Sequence, residues 1–120
     1  MRSLALVVLA LAAIFAAVGV ASANRKPTSK ERVQIATVVH LPAKCARVRV
    51  STQTRKPKWG SVSFKPGLSD CEPLASNGVT VVKKTSGRWR FITAGSSFDC
   101  PGLFAKVPQL VARDLGIKCT

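Results

Sequence analysis

The chain has 120 residues, with 19 Lys and Arg against 5 Asp and Glu, and carries a formal net charge of +14. This length fits one small domain and excludes large catalytic scaffolds. The hydrophobic share of 47% is inflated by the first 23 residues, of which 19 are apolar. Without them 37 of 97 residues are apolar, which is ordinary for a modest globular core.

The N-terminal segment has the pattern of an export signal. A short basic start is followed by Leu4 to Val20, which contain no charge, and then by Ala21-Ser22-Ala23, an A-x-A cleavage pattern. The pattern predicts a signal peptide over 1–23, a mature domain over 24–120, and a secreted, periplasmic or cell-wall-associated protein. A retained membrane anchor is the alternative, although 17 residues are at the short limit for a bilayer of roughly 30 Å.

The mature part contains an even set of cysteines: Cys45, Cys71, Cys100 and Cys119. An oxidising compartment favours their pairing as disulfides, and three pairings are possible. We expect Cys45–Cys71 and Cys100–Cys119, because each closes a local loop around predicted secondary structure. A zinc site is disfavoured, because there is no C-x-x-C spacing and His40 is the single histidine. We therefore predict no metal and no cofactor.

The first predicted element is a helix. Thr28-Ser29-Lys30-Glu31 forms a capping box, which is typical of a helix start. Pro42 disfavours helix at the residue before it, so the helix should end near His40. The apolar residues Ile35, Val38 and Val39 share one helical face, but Val33, Ile35 and Val39 also fit the alternation of a strand. The cap favours the helix.

Four strands follow, and their side chains alternate. The first is Ala46 to Ser51, and the second follows the basic turn Arg55-Lys56-Pro57-Lys58 and ends at Pro66-Gly67. Val79 to Lys84 and Arg88 to Thr93 then form a hairpin around Thr85-Ser86-Gly87. In the hairpin we interpret Trp89 and Phe91 as pointing the same way, with Trp89 in the core.

A last helix is predicted after Gly95-Ser96-Ser97 and Pro101-Gly102. Pro108 suits its first turn, and Gly116 is placed to end it. An apolar stripe at i, i+4 and i+8 consists of Val107, Val111 and Leu115. The sequence therefore predicts an α+β fold with an N-terminal helix, a four-stranded antiparallel sheet and a C-terminal helix, in which the helices cover one face of the sheet.

The C-terminal third shows a resemblance. It rests on Gly87-Arg88-Trp89-Arg90, Gly95-Ser96-Ser97-Phe98-Asp99-Cys100, Val107-Pro108 and Asp114-Leu115-Gly116-Ile117-Lys118-Cys119. These runs resemble small exported actinobacterial proteins of uncharacterised activity, and the resemblance implies a secreted domain with two disulfides. The order and size of the elements are also similar to fragments of the cystatin-like and NTF2-like folds, which is an analogy of architecture alone.

The basic residues suggest a binding face. If the valines of the first two strands face the helices, the intervening basic and serine residues share the opposite face of the sheet. Trp59 lies two residues before Ser61 and should therefore point to that same face. Guanidinium groups near an indole suit phosphate- or sugar-bearing chains. The candidate anion-binding residues are Arg47, Arg49, Trp59, Lys65, Arg88 and Arg90. The alternative is a solvated face that maintains solubility.

The function predicted from these features is a secreted, non-enzymatic module that associates with anionic cell-envelope polymers or extracellular nucleic acid. No catalytic motif stands out. A small secreted hydrolase such as a nuclease is the alternative, with His40, Glu31 or Glu72, and Arg49 or Arg90 as candidates. A secreted protein-interaction or inhibitor module with a protein partner is a further alternative, because Trp and Arg are enriched at binding hot spots.

Overall fold

The computed structural model describes residues 24–120, so the predicted signal peptide over 1–23 lies outside the described residues. The described chain confirms the predicted α+β fold. Two short 3₁₀ turns, Ala43–Cys45 and Glu72–Leu74, accompany the regular elements. These elements are α1 (Ser29–Val38), β1 (Ala46–Val50), β2 (Trp59–Phe64), β3 (Val79–Thr85), β4 (Arg88–Gly95), α2 (Cys100–Phe104) and α3 (Gln109–Asp114).

Helix α1 begins as the capping box predicts. The Glu31 amide donates to the Thr28 hydroxyl at 3.1 Å, and the Thr28 amide donates to the Glu31 carboxylate at 2.9 Å. These bonds satisfy backbone donors that the first turn cannot pair internally. The helix ends before His40, whose φ of 58° lies in the left-handed region. The predicted helix is therefore confirmed, and the strand alternative is wrong.

The sheet is an antiparallel meander in the order β1-β2-β3-β4. Strands β3 and β4 pair at Thr85 and Arg88, so Ser86 and Gly87 alone form the turn. Both turn residues have positive φ, 51° and 76°, which matches the right-handed twist of a two-residue hairpin. The predicted hairpin is confirmed, and a bulge opposite Val81 and Val82 shifts the register of its second half.

Helices cover both faces of the sheet, which corrects the prediction that they cover one. Helix α1 packs on the first face, over a core that contains Ile35, Val48, Val62, Val82 and Trp89. The C-terminal helices pack on the second face, over a separate core that contains Trp59, Val81, Leu103, Val107 and Val111. Two cores are possible because alternate residues of one strand point to opposite faces.

The C-terminal region contains two short helices where the sequence predicts one. Asp99 begins α2, since its carboxylate accepts a hydrogen bond from the Gly102 amide, and Pro101 occupies the first turn. The predicted stripe of Val107, Val111 and Leu115 is buried. Gly116 has a φ of 75°, as expected for a residue that ends a helix.

The structure confirms both disulfides, Cys45–Cys71 and Cys100–Cys119, with Cα atoms 5.5 and 5.2 Å apart. The first ties the start of β1 to the loop after β2. The second ties the start of α2 to the C-terminus, beside a parallel bridge between Phe98 and Cys119. Two disulfides in so small a domain are typical of an oxidising extracellular setting.

Candidate anion-binding site

The structure divides the six predicted anion-binding residues among separate places. Trp59 has the parity predicted for it, but its side chain is only 4% exposed, because the C-terminal helices cover that part of the sheet. The Lys83 ammonium lies 5.1 Å from the centroid of the Trp59 ring. Trp59 is therefore a core residue with an internal cation contact, and its predicted place on an exposed binding face is wrong.

Arg88 and Arg90 lie at the opposite edge of the sheet from Arg47 and Arg49. Both are exposed on β4, which is one edge strand, whereas Arg47 and Arg49 lie on β1, the opposite edge strand. The core under α2 and α3 lies over the middle of the second face, so Arg88 and Arg90 do not form one exposed surface with Arg47 and Arg49.

Arg47 and Arg49 form one wall of a groove on the second face. Arg47 pairs with Ser63 and Arg49 with Ser61, so these four side chains share the face that adjoins the C-terminal segment. The groove has a volume of about 320 Å³. Its other wall includes Phe98, Ile117 and Lys118.

A second cavity lies beside the same two arginines. It has a volume of about 240 Å³ and is lined by Lys26, Arg32, Arg47, Val48, Arg49 and Lys65. The Arg32 guanidinium is held against β1, because it donates to the Ala46 carbonyl at 3.1 Å. We call the six cations of the two cavities the β1 basic surface: Lys26, Arg32, Arg47, Arg49, Lys65 and Lys118.

Half of the β1 basic surface is absent from the predicted site. Arg47, Arg49 and Lys65 follow from strand alternation, but Lys26, Arg32 and Lys118 come from the N-terminal segment, from α1 and from the C-terminus. No local pattern marks these three, since only the tertiary fold brings them to β1. The Ser61 and Ser63 side chains share their face with Arg47 and Arg49, as alternation indicates.

Four of the five carboxylates in the described chain have partners away from the two cavities, and the fifth, Glu72, is exposed and lines neither cavity. Glu31 pairs with Arg25, Asp70 with Lys44, and Asp99 caps α2. Asp114 accepts hydrogen bonds from the Ser51 hydroxyl at 2.8 Å and the Thr52 amide at 2.7 Å. Within residues 24–120, no carboxylate lines either cavity, and none of the six cations forms an ion pair.

The arrangement suits an anionic ligand. Each guanidinium offers a planar fork of N–H donors that matches phosphate or carboxylate oxygens, and the serine hydroxyls add donors beside it. A groove of about 320 Å³ is at the small end of ligand sites and accommodates one unit of a longer chain. Two cavities that share Arg47 and Arg49 therefore suit a polymer that crosses β1.

Two residues of the hydrolase alternative, His40 and Glu31, lie at opposite ends of α1. His40 is exposed beyond the end of α1, whereas Glu31 lies in its first turn, roughly 13 Å away at 1.5 Å per residue. The Arg25 guanidinium donates to both carboxylate oxygens of Glu31, and with the Thr28 amide and Lys58 it lowers the pKa of Glu31 to about 2. Glu31 is therefore a structural anion.

In the part of the chain that the structure describes, no three His, Cys, Asp or Glu residues gather as a metal-binding group. No helix between residues 24 and 120 has the length and apolar character needed to cross a membrane.

Comparisons of the chain with protein-family models, curated proteins and solved structures find no match. The resemblance to small exported actinobacterial proteins stays a prediction.

Proposed function

We propose that this chain is a secreted, non-enzymatic binding module whose β1 basic surface holds anionic polymers, either phosphate-bearing polymers of the cell envelope or extracellular nucleic acid. One observation carries the proposal: Arg47 and Arg49 stand between two cavities whose linings contain six cations and no carboxylate. The two disulfides and the predicted signal peptide support a site of action outside the cytoplasm.

The charge of the domain favours such a ligand. Residues 24–120 hold 18 of the basic residues and all five acidic ones, a net charge of +13. A field of that sign attracts polyanions, and neutralising their charges releases condensed counterions. The affinity is therefore expected to fall steeply as salt rises. We propose no catalytic role, because His40 lies at the other end of α1 from Glu31, and Glu31 is held in ion pairs.

The test uses the disulfide-bonded secreted protein and two fluorescent probes, a short single-stranded DNA and a glycerol-phosphate polymer, with neutral dextran as the negative probe. We expect binding at low salt and a linear fall of log affinity with log salt concentration. The double variant Arg47→Ala/Arg49→Ala should weaken binding and reduce the slope by about 1 to 2.

The matched control is Arg55→Ala/Lys56→Ala, which removes two positive charges from an exposed loop that lines neither cavity. If both double variants weaken binding equally, only net charge acts and the β1 basic surface is not a site. Absence of binding to both polyanions at low salt would overturn the proposal as a whole.

A further inference from the structure

The outer edge of β4 is open. Strand β4 pairs with β3 on one side, and no segment within residues 24–120 pairs with its other side. The other edge strand differs, because Arg25 bridges to Val50 of β1 through two backbone hydrogen bonds of 2.8 and 3.0 Å. An unpaired edge is a template for another strand unless it is blocked by proline or covered, and β4 contains no proline.

The hairpin fixes which backbone groups face this open edge. In a two-residue hairpin the residues that flank the turn form a hydrogen-bonded pair, and the next pair does not. The flanking pair is Thr85 and Arg88, so the N–H and C=O groups of Trp89 and Phe91 point away from β3. The Lys84 amide, opposite Trp89, accordingly donates to Lys58 at 2.8 Å and not to β4.

The α1 side of this edge is apolar and incompletely packed. Phe91 is 59% exposed, and Val33 of α1 is exposed as well. A groove of about 360 Å³ lies between α1 and the hairpin, lined by Val33, Gln34, Thr37, Val38, Gly87, Arg88 and Trp89. The buried indole nitrogen of Trp89 has no hydrogen-bond acceptor among the described residues, which is unfavourable. Apolar side chains of an added strand would bury Phe91 on this side.

The opposite side of the same edge is basic. Alternation places Arg90 on the face away from α1, where it is exposed opposite Lys83. Arg88 is also exposed and lines the turn end of the groove on the α1 side, so it adds positive charge at that end of the edge. An added strand would therefore meet aromatic and aliphatic side chains on one face and positive charge on the other, and opposite charges on neighbouring strands stabilise pairing.

From this geometry we propose that β4 binds an extended segment of a partner protein, in which acidic and apolar residues alternate, as a fifth strand of the sheet. Main-chain hydrogen bonds to Trp89 and Phe91 supply affinity, and the alternating side chains supply specificity. A second copy of this chain fits less well, because two antiparallel β4 strands would place Arg88 and Arg90 against like charges.

The test titrates the secreted protein into a fluorescein-labelled eight-residue peptide of alternating Glu and Val. The comparison peptide has the same composition with Glu and Val in two blocks, and so the same charge without the alternation. We expect the alternating peptide to bind at least about tenfold more tightly. Hydrogen exchange at the Trp89 and Phe91 amides should slow when it binds, which ionic attraction alone would not produce.

Two variants with matched controls locate the site. Phe91→Ser and Arg90→Glu should each weaken binding of the alternating peptide by about tenfold. Leu110→Ser removes a similarly exposed apolar side chain from α3, and Lys106→Glu makes the same charge change outside the sheet. Neither control should change the affinity. The double variant Arg47→Ala/Arg49→Ala should also leave it unchanged, which separates this edge from the β1 basic surface.

Equal affinity for the two peptides, or no binding of the alternating one, would overturn the proposal. So would unchanged exchange at the two β4 amides. Sedimentation that shows a wild-type dimer abolished by Phe91→Ser would make a second copy the occupant and exclude the acidic segment. Each result is independent of polyanion binding.

Discussion

Glu31 is 6% exposed, and its carboxylate joins three parts of the chain. Arg25 in the N-terminal segment donates to it at 2.7 and 2.9 Å, the Thr28 amide donates at 2.9 Å, and the Lys58 ammonium before β2 lies 3.6 Å away. Charge-assisted and bidentate bonds are the strong ones, so this carboxylate fastens the start of α1 to the sheet.

The depressed pKa of Glu31 makes stability depend on pH. Its folded value of about 2 lies below the usual 4.5, so its stabilising contribution is present above pH 4.5 and is lost as pH falls towards 2. We expect Glu31→Gln to lower the free energy of unfolding at pH 7 by about 2 kcal/mol, allowing for solvent screening at the partly exposed Arg25. The free energy of unfolding of the variant should also fall less steeply than that of the wild type as the pH is lowered.

Urea unfolding at pH 7, 4 and 2.5 measures both effects. Glu72→Gln is the matched control, because Glu72 is exposed and forms no ion pair within the described chain. If the two variants lose equal stability at pH 7, the buried ion pair does not stabilise the fold.

The β3–β4 hairpin shows how a local pattern specifies an element. Two residues with positive φ close it, and at Gly87 a Cβ atom would meet nothing within 4 Å. Any penalty for a side chain there is therefore conformational. Gly78, just before β3, has no positive φ, and its Cβ atom would lie at ordinary contact distance, 3.7 Å from Gly95.

We expect Gly87→Ala to destabilise the protein by about 1 kcal/mol, since the left-handed conformation is unfavourable for alanine but not for glycine. Gly78→Ala should be close to neutral or slightly stabilising. Thermal unfolding of the two variants side by side measures the difference. Equal melting temperatures would show that the turn conformation is not required for the hairpin.

The whole domain consists of two cores on one sheet, and each tryptophan lies in a different core. Trp89 lies on the α1 side, and Trp59 lies under the C-terminal helices. The Cys100–Cys119 disulfide closes the C-terminal layer over Trp59, whereas Cys45–Cys71 joins β1 to the loop after β2. The disulfides therefore hold different parts of the molecule.

Removing the C-terminal disulfide should loosen one layer selectively. In a Trp89→Phe background, Trp59 is the sole tryptophan, and Cys100→Ser/Cys119→Ser should increase its quenching by acrylamide below the melting temperature. The stability loss is expected to be about 3 kcal/mol on the chain-entropy model. Cys45→Ser/Cys71→Ser is the control, with a comparable stability loss but little added quenching. Similar quenching in both variants would mean that the two layers open together.

Local signals predicted most elements of the fold. The capping box, the period-two strands, the turn at Ser86 and Gly87 and the local disulfide loops all depend on residues close in sequence. The sequence also contained a signal that both faces of the sheet are buried, which the prediction did not use. Val81 and Val82 are adjacent, and both are fully buried. Consecutive apolar residues in a strand are typical of a sheet covered on two sides.

The binding surfaces were less accessible to sequence reasoning. Alternation placed Arg47 and Arg49 correctly on one face, but it did not show that Trp59 on that face is covered. The alternation of side chains along a strand specifies which face of the sheet a residue occupies, whereas the exposure of that residue depends on what packs over the face. The apolar stripe of Val107, Val111 and Leu115 packs on the sheet at Trp59 and Val81, and this contact covers Trp59.

The sequence by itself determined the order of an N-terminal helix, four strands and a helical C-terminal region, and the excess of positive charge, and it favoured the local cysteine pairs, because each follows from composition or from residues near in the chain. The tertiary structure alone decided where that charge collects and which edge of the sheet stays open. Lys26, Arg32 and Lys118 meet Arg47 and Arg49 because packing brings distant segments to β1. Long-range packing of this kind has no short-range signature in the sequence.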